Sequence, residues 1–227
     1  MTLFIREQKM VKWKTWKEYT YTDQEISNKV YQEGIGGGSK EWNSRGEFQL
    51  VFLQKMGLQP DHIFIDIGCG PIRAGEHFIR YLDSGNYIGF DYNETYIHIA
   101  KELVNKNSDL SMKNPELFCV NDFDLFSHTK KQGHFGLAFS VLNHCNHEEV
   151  HQFFKNIGKS FHTGGKLYTL NTNIIWYPHW FPACDFEVTN IFDTVNEFSI
   201  DINQYFIGLK QQLTGPNKKF AIEFTKQ

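Results

Sequence analysis

The chain of 227 residues lacks several features, and each absence narrows what it can be. No apolar run approaches the roughly 18 to 20 residues needed to cross a bilayer. Met1 to Trp16 carries charges throughout, so nothing there resembles a signal peptide. Cysteine is scarce. Cys69, Cys119, Cys145 and Cys184 have no paired spacing, which argues against a disulfide framework or a cysteine zinc site. They read as reduced thiols, and the expected location is the cytoplasm. An excess of positive charge is also missing. The formal net charge is −3, so no overall basic field favours nucleic acid. Internal repeats and low-complexity tracts are absent. What remains is 41% hydrophobic and 22% charged, a globular composition on a chain that fits one domain with its own core.

The richest segment spans residues 63 to 91. Ile63, Phe64, Ile65 and Ile67 are apolar on both faces, as a buried parallel strand requires, and the run contains Asp66. A turn with Gly68, Gly70 and Gly75 follows, then an amphipathic stretch expected to be helical from Pro71 to Leu82. A second apolar run, Tyr87-Ile-Gly-Phe, ends in Asp91. This is the layout of a nucleoside-binding half of an α/β sheet. A dinucleotide site wants Gly-x-Gly-x-x-Gly with a pyrophosphate on the helix N-terminus. Here Arg73 takes the third glycine position, and Asp66 just before the turn would repel a pyrophosphate. Asp66 suits instead a cationic ligand with an amino group and a sulfonium. Asp91 stands where an acid holds ribose hydroxyls.

Asp66-Ile-Gly-Cys-Gly-Pro71 with a downstream Gly89-Phe-Asp91 resembles the class I S-adenosylmethionine-dependent methyltransferases. The resemblance extends back through Trp42 to Leu58 and forward to Val120-Asn-Asp-Phe123 and Phe139-Ser-Val-Leu-Asn-His144. It implies S-adenosylmethionine as cofactor, with Asp66, Gly68 and Gly70 holding its methionine part and Cys69 filling the turn between them. Asp91 would take the ribose, with Tyr92 beside the adenine; Asp122 and Phe123 would contact the adenine ring, and Ser140 would lie near the transferable methyl. Arg73 departs from the family pattern; it pairs with the cofactor carboxylate or with a neighbouring acid. The fold implied is α/β: a Rossmann-like, mostly parallel seven-stranded sheet with helices on both faces, a C-terminal antiparallel hairpin and an N-terminal helical extension.

Residues 1–45 are expected to form that extension and 46–227 the methyltransferase domain. The extension is aromatic, with Trp13, Trp16, Tyr19, Tyr21 and Tyr31 before Gly34-Ile-Gly-Gly-Gly38. It reads as a lid over cofactor and substrate or as a helical pair packed on the sheet. Its basic stretch Lys9 to Lys17 could bind RNA or a membrane surface, but an amphipathic helix with a solvated face is the preferred reading.

Further along, Asn93 should cap a helix to Lys106, and Leu117 to Val120 and Phe135 to Leu142 should be strands. Asn146 and Glu149 form a capping-box pattern for a helix to Ser160, with Val150, Phe153, Phe154 and Ile157 facing inward. Lys166 to Leu170 is expected as the fifth strand after Gly164-Gly165, and Gln204 to Leu209 with Phe220 to Phe224 as the hairpin.

Methyl transfer to a hydroxyl needs a general base, and histidine is the default near neutral pH. His144 is the candidate, because ligands in open α/β sheets sit beyond the carboxyl ends of the strands. A structural role for it stays open. His144, His147 and His151 do not complete a recognised metal pattern, so no metal is expected. Trp176-Tyr-Pro-His-Trp-Phe-Pro182 is either an acceptor platform, with Trp176, Tyr177 and His179 contacting substrate beside Tyr21, or a hydrophobic loop closing the core. No Asn-Pro-Pro-Tyr-like tetrapeptide follows the fourth strand, which disfavours the amino-methylating DNA enzymes. The expected partner is a small molecule, favouring the oxygen of a sugar, nucleotide-sugar or glycan precursor; membrane is not expected and nucleic acid is disfavoured. An RNA or protein methyltransferase, a non-catalytic cofactor-binding module and an NAD-dependent oxidoreductase are the competing readings.

Overall fold

The computed structural model describes residues 19–35, 38–171, 192–201 and 218–226. Seven strands form one sheet: β1 Phe64–Ile67, β2 Tyr87–Asp91, β3 Glu116–Cys119, β4 Gly133–Phe139, β5 Phe161–Asn171, β6 Phe192–Asp201 and β7 Lys218–Lys226. Their spatial order is β3-β2-β1-β4-β5-β7-β6. The five leading strands pair in parallel, whereas β7 runs antiparallel between β5 and β6. The chain starts in the middle of the sheet, builds outward through β2 and β3, then returns to lay β4 on the other side of β1. That reversal opens a crevice at the carboxyl ends of β1 and β4, the place where such sheets bind ligands.

The helices are α1 Asp23–Ser27, α2 Trp42–Lys55, α3 Gly75–Tyr81, α4 Glu94–Lys106, α5 Ser108–Ser111, α6 Phe126–Thr129 and α7 His147–Ile157. Strand alternation sorts side chains between two faces. Phe64 and Tyr87 pack with Phe48, Phe52 and Leu53 of α2, Phe78 and Ile79 of α3, and Ile97 and Ala100 of α4. Ile65, Ile67, Ile88 and Phe90 face the other way, onto Val150, Phe153, Phe154 and Ile157 of α7. Those four α7 residues are the inward stripe read from the sequence. Both bonds of the Asn146–Glu149 capping box are present. Asn93 caps α4, its side chain accepting from the Tyr96 amide.

Several boundaries differ from the sequence reading. α3 begins at Gly75, not Pro71, because Ile72 has φ 54°, a left-handed conformation that no α-helix tolerates. β4 ends at Phe139, not Leu142; Ser140 has φ 59°, and Leu142–His144 forms a 3-10 turn. β5 starts at Phe161 and runs through Gly164-Gly165 instead of after them. Phe220 to Phe224 lies in β7, whose hairpin partner is Phe192–Asp201; Gln204 to Leu209 lies outside the described residues. Helix α2 spans residue 45. Among the described residues, no helix is long and apolar enough to cross a membrane.

Candidate active site

The glycine turn is tied to the tip of β2 by main-chain bonds. The amides of Gly68 and Cys69 both donate to the Phe90 carbonyl, at 2.8 and 3.0 Å. The Gly70 amide donates to Asp91 Oδ2 at 2.9 Å, and the Asn93 amide to Asp91 Oδ1 at 2.8 Å. Turn, second acid and the start of α4 are therefore one hydrogen-bonded unit. Gly68 has φ 69° and Gly70 φ 54°, which favours glycine at both positions. A Cβ on Gly68 would lie 2.5 Å from Val141 Cγ2, so the tip of β4 closes directly on the turn.

Both acids are buried, Asp66 at 4% exposure and Asp91 at 6%. Burial pushes the Asp66 carboxyl up to about 7; Asp91 raises it further, while Tyr87 and Arg73 oppose the rise. Burial lifts Asp91 to about 6 against the pull of the Asn93, Gly70 and Tyr92 amides. Two buried carboxyls that resist ionising together leave a site short of positive charge. An ammonium group, a sulfonium or hydroxyl donors would satisfy it; a pyrophosphate would not. The residues present therefore fit the amino-acid end and the ribose of S-adenosylmethionine.

Arg73 lies in the turn. Burial pulls its guanidinium down to about 10, Arg45 adds to this, and Glu41 and Asp66 oppose it. Arg45 is itself ion-paired with Glu41 one helical turn away. Gly46 brings α2 against the turn, because a Cβ there would collide with the Arg73 carbonyl. Cys69 is buried between the glycines, and burial raises its thiol well above the usual range. Tyr92 is 42% exposed at the tip of β2.

Beyond β3, Asp122 Oδ1 accepts from the Asp124 amide at 3.0 Å. The Asp122 carbonyl accepts from Asn156 Nδ2 at 2.7 Å, anchoring this loop to α7. The Phe123 ring meets Phe153 edge-on at 5.2 Å. Beyond β4, the Ser140 amide donates to the Leu170 carbonyl at 2.6 Å. Ile72, Phe123 and Ser140 all have positive φ, at 54°, 60° and 59°. Strained non-glycine backbone thus follows β1, β3 and β4 at their carboxyl ends, on the rim where the site residues sit. His144 is exposed on the 3-10 turn after β4, and desolvation of its ring lowers its pKa below the ordinary imidazole value.

The N-terminal segment meets this rim. The Tyr19 carbonyl accepts from Asn93 Nδ2 at 3.0 Å. The Tyr21 ring stacks on Tyr96 at 6.3 Å, and Tyr31 sits edge-on to Trp42 at 5.7 Å. Ile35 Cδ1 would lie 4.0 Å from a Cβ on Gly70. Trp176, Tyr177 and His179 lie outside the described residues, as does the Lys9 to Lys17 stretch. Among the described residues, no group of three or more His, Cys, Asp or Glu side chains could hold a metal ion. Sequence reasoning missed Tyr87, whose hydroxyl donates to Asp66 Oδ2 at 2.8 Å. The signal was Gly89, a glycine in the middle of a buried strand, which marks a close approach.

Residues 65–167 match the methyltransferase-domain family. Solved structures of similar fold include the magnesium protoporphyrin IX methyltransferase ChlM from Synechocystis PCC 6803 with bound SAM, 14% identical, covering 91% of this chain and 92% of that one with a TM-score of 0.59. The PH0226 protein from Pyrococcus horikoshii OT3 is 15% identical over 92% of this chain and 100% of that one, with a TM-score of 0.63. The N-methyltransferase NodS from Bradyrhizobium japonicum WM9, in complex with S-adenosyl-L-homocysteine, is 12% identical over 90% and 99%, with a TM-score of 0.60. The domain match over residues 65–167, the strand order and the paired acids around the glycine turn all support a class I S-adenosylmethionine-dependent methyltransferase.

Proposed function

We propose that the protein methylates an oxygen of a small acceptor, in the class of sugars, nucleotide-sugars and cell-surface glycan precursors. The observation that carries this reading is His144. It is exposed just beyond β4, on the same rim as the glycine turn, and its lowered pKa keeps the imidazole neutral near pH 7. A neutral imidazole can accept the proton that a hydroxyl loses when it becomes a nucleophile. When bound, S-adenosylmethionine supplies a methyl group on a sulfonium, open to in-line displacement. The protein's own work is then to position and to exclude water. Asp66 would hold the ammonium end of the cofactor and Asp91 its ribose. Segment 19–35 acts as a lid, held by Tyr19 on Asn93 and by Tyr21 on Tyr96. The net charge of −3 and the aromatic run Trp176 to Pro182 support a small, ring-bearing acceptor over a nucleic-acid polyanion.

The test is methyl transfer from labelled S-adenosylmethionine to a panel of free sugars, nucleotide-sugars, amine acceptors and RNA, with calorimetric binding of S-adenosylhomocysteine and NAD alongside. Labelled sugar with the methyl group on oxygen is the expected product. Transfer only to amines or to RNA would overturn the acceptor class, and preferential binding of NAD would overturn the cofactor.

A further inference from the structure

The buried underside of the glycine turn holds a group that the sequence motif does not contain. Tyr87 opens β2, Asp66 lies in β1, and the register sets Asp66 beside Gly89. Residues two apart on a strand share a face, so Tyr87, Gly89 and Asp91 stand on the same side as Asp66. Tyr87 is 1% exposed, and its ring packs beside Phe64 with centroids 6.1 Å apart.

Two glycines clear the space around its hydroxyl. A Cβ on Gly75 would collide with that oxygen, and one on Gly89 would lie 2.9 Å from it. The same Cβ on Gly75 would lie 2.8 Å from Ile72 Cβ. Gly75 has no positive φ and begins α3. Its place in the motif is therefore explained by the tyrosine and the Ile72 turn, not by approach of a ligand.

We propose that Tyr87 is a positioning residue for the cofactor site: its hydroxyl, lodged between Gly75 and Gly89, holds the Asp66 carboxylate in place under the turn and favours its ionised form, and so sets how tightly the site grips the ammonium group of the cofactor's amino-acid end. The proposal rests on reading the site as one for S-adenosylmethionine.

Among the described residues, the groups that face Asp66 are few. Tyr87 donates to it from β2; Asp91, at the tip of the same strand, opposes its charge; Arg73 in the turn favours its charge; Cys69 lies between the glycines. On the other side Asp66 is in register with Leu137 of β4, which carries no charge. Beyond Arg73 stands the Glu41–Arg45 pair of the α2 entry. Of the groups that favour the ionised carboxylate, Tyr87 acts more strongly than Arg73. Removing a donor to a carboxylate makes ionisation harder, so the loss of this hydroxyl moves the Asp66 titration to higher pH.

The experiment is calorimetric binding of S-adenosylhomocysteine, which keeps the amino-acid end, from pH 5.5 to 9 with wild type, Tyr87→Phe, Asp66→Asn and the double variant. Wild-type affinity should rise with pH to a plateau. In Tyr87→Phe the midpoint of that rise should move up by about one pH unit, weakening binding roughly tenfold near pH 7 and little at pH 9. In the Asp66→Asn background, Tyr87→Phe should leave the pH profile unchanged. Gly75→Ala, which crowds the hydroxyl without altering Tyr87, should shift the midpoint the same way and serves if Tyr87→Phe does not fold. A structural tyrosine would lower Tm in both backgrounds and leave the midpoint where it was, and that result overturns the proposal alone. Wild-type protein that binds no S-adenosylhomocysteine at any pH overturns the cofactor reading and the proposal with it.

Discussion

Asp91 has both carboxylate oxygens engaged by main-chain amides, one from the turn and one from the head of α4. A hydrogen bond to a charged group contributes about 1.5–3 kcal/mol net. Asp91→Ala removes two of them and leaves two amides without acceptors, so it should lower Tm and weaken S-adenosylhomocysteine binding by tenfold or more, read by thermal unfolding and calorimetry. Asp91→Asn, which keeps one acceptor oxygen, should fall between. In the proposed mechanism His144 takes the proton from the acceptor. His144→Ala should cut kcat by roughly 10² to 10⁴-fold while the affinity for S-adenosylhomocysteine holds. Because desolvation of its ring lowers the His144 pKa, the acid limb of the wild-type kcat profile should have its midpoint below 6.5 and vanish in the alanine variant. A variant that turned over at the wild-type rate would remove His144 from the chemistry. At this scale the sequence was most informative where residue type and spacing carry the signal. Gly68 and Gly70 turn the chain from β1 toward β2, and the Gly70 amide donates to Asp91. For Tyr87 the sequence held only the hint of Gly89, because its role depends on an alignment of β1 with β2 that spacing does not encode.

Elements were legible where local chemistry decides them. The Asn146–Glu149 box and the Val150, Phe153, Phe154, Ile157 stripe specify α7 without help from the rest of the chain. The start of α3 was not, because Ile72 takes φ 54°, a left-handed conformation that residue type does not announce in a β-branched side chain. A second cluster sits near the starts of β1, β4 and β5, away from the site. The rings of His62 and His134 stack with centroids 5.1 Å apart, and His134 and His162 lie at 4.8 Å. His134 Nδ1 accepts from the Ile63 amide at 3.0 Å, which the protonated ring could not do. Burial lowers the His134 pKa, His162 and His62 add to this, and Asp61 opposes it. Its folded value thus lies below its unfolded value of about 6.5, and the unfolded chain binds more protons in acid. The stability from this group is present above pH 6.5 and is lost as pH falls through that value. Urea unfolding at pH 7.5 and pH 5 should show the loss, and His134→Phe should show a smaller difference between the two pH values. An equal difference in both proteins would refute the assignment.

The whole molecule brings the N-terminal segment back over the mouth of the sheet. Tyr31 and Trp42 are buried with Tyr96 and Ile99 of α4, and Tyr19 and Tyr21 pack onto that group. If the segment is a lid, Tyr21→Ala should raise the KM for the acceptor severalfold with little change in S-adenosylhomocysteine affinity. An equal loss in both would make Tyr21 part of the cofactor wall instead. The sequence alone determined the methyl donor, because strand, glycine turn and acidic tips are local and follow from residue type in order along the chain. It also determined the helix caps and the stripes that face the sheet. The tertiary structure decided what no single segment contains: the β3-β2-β1-β4-β5-β7-β6 order, the seat of the N-terminal segment on α4, and the tyrosine under the turn. These depend on burial and register between residues far apart in the chain. The energy of such contacts comes from removing side chains from water together, and that pairing is set only when the chain has folded.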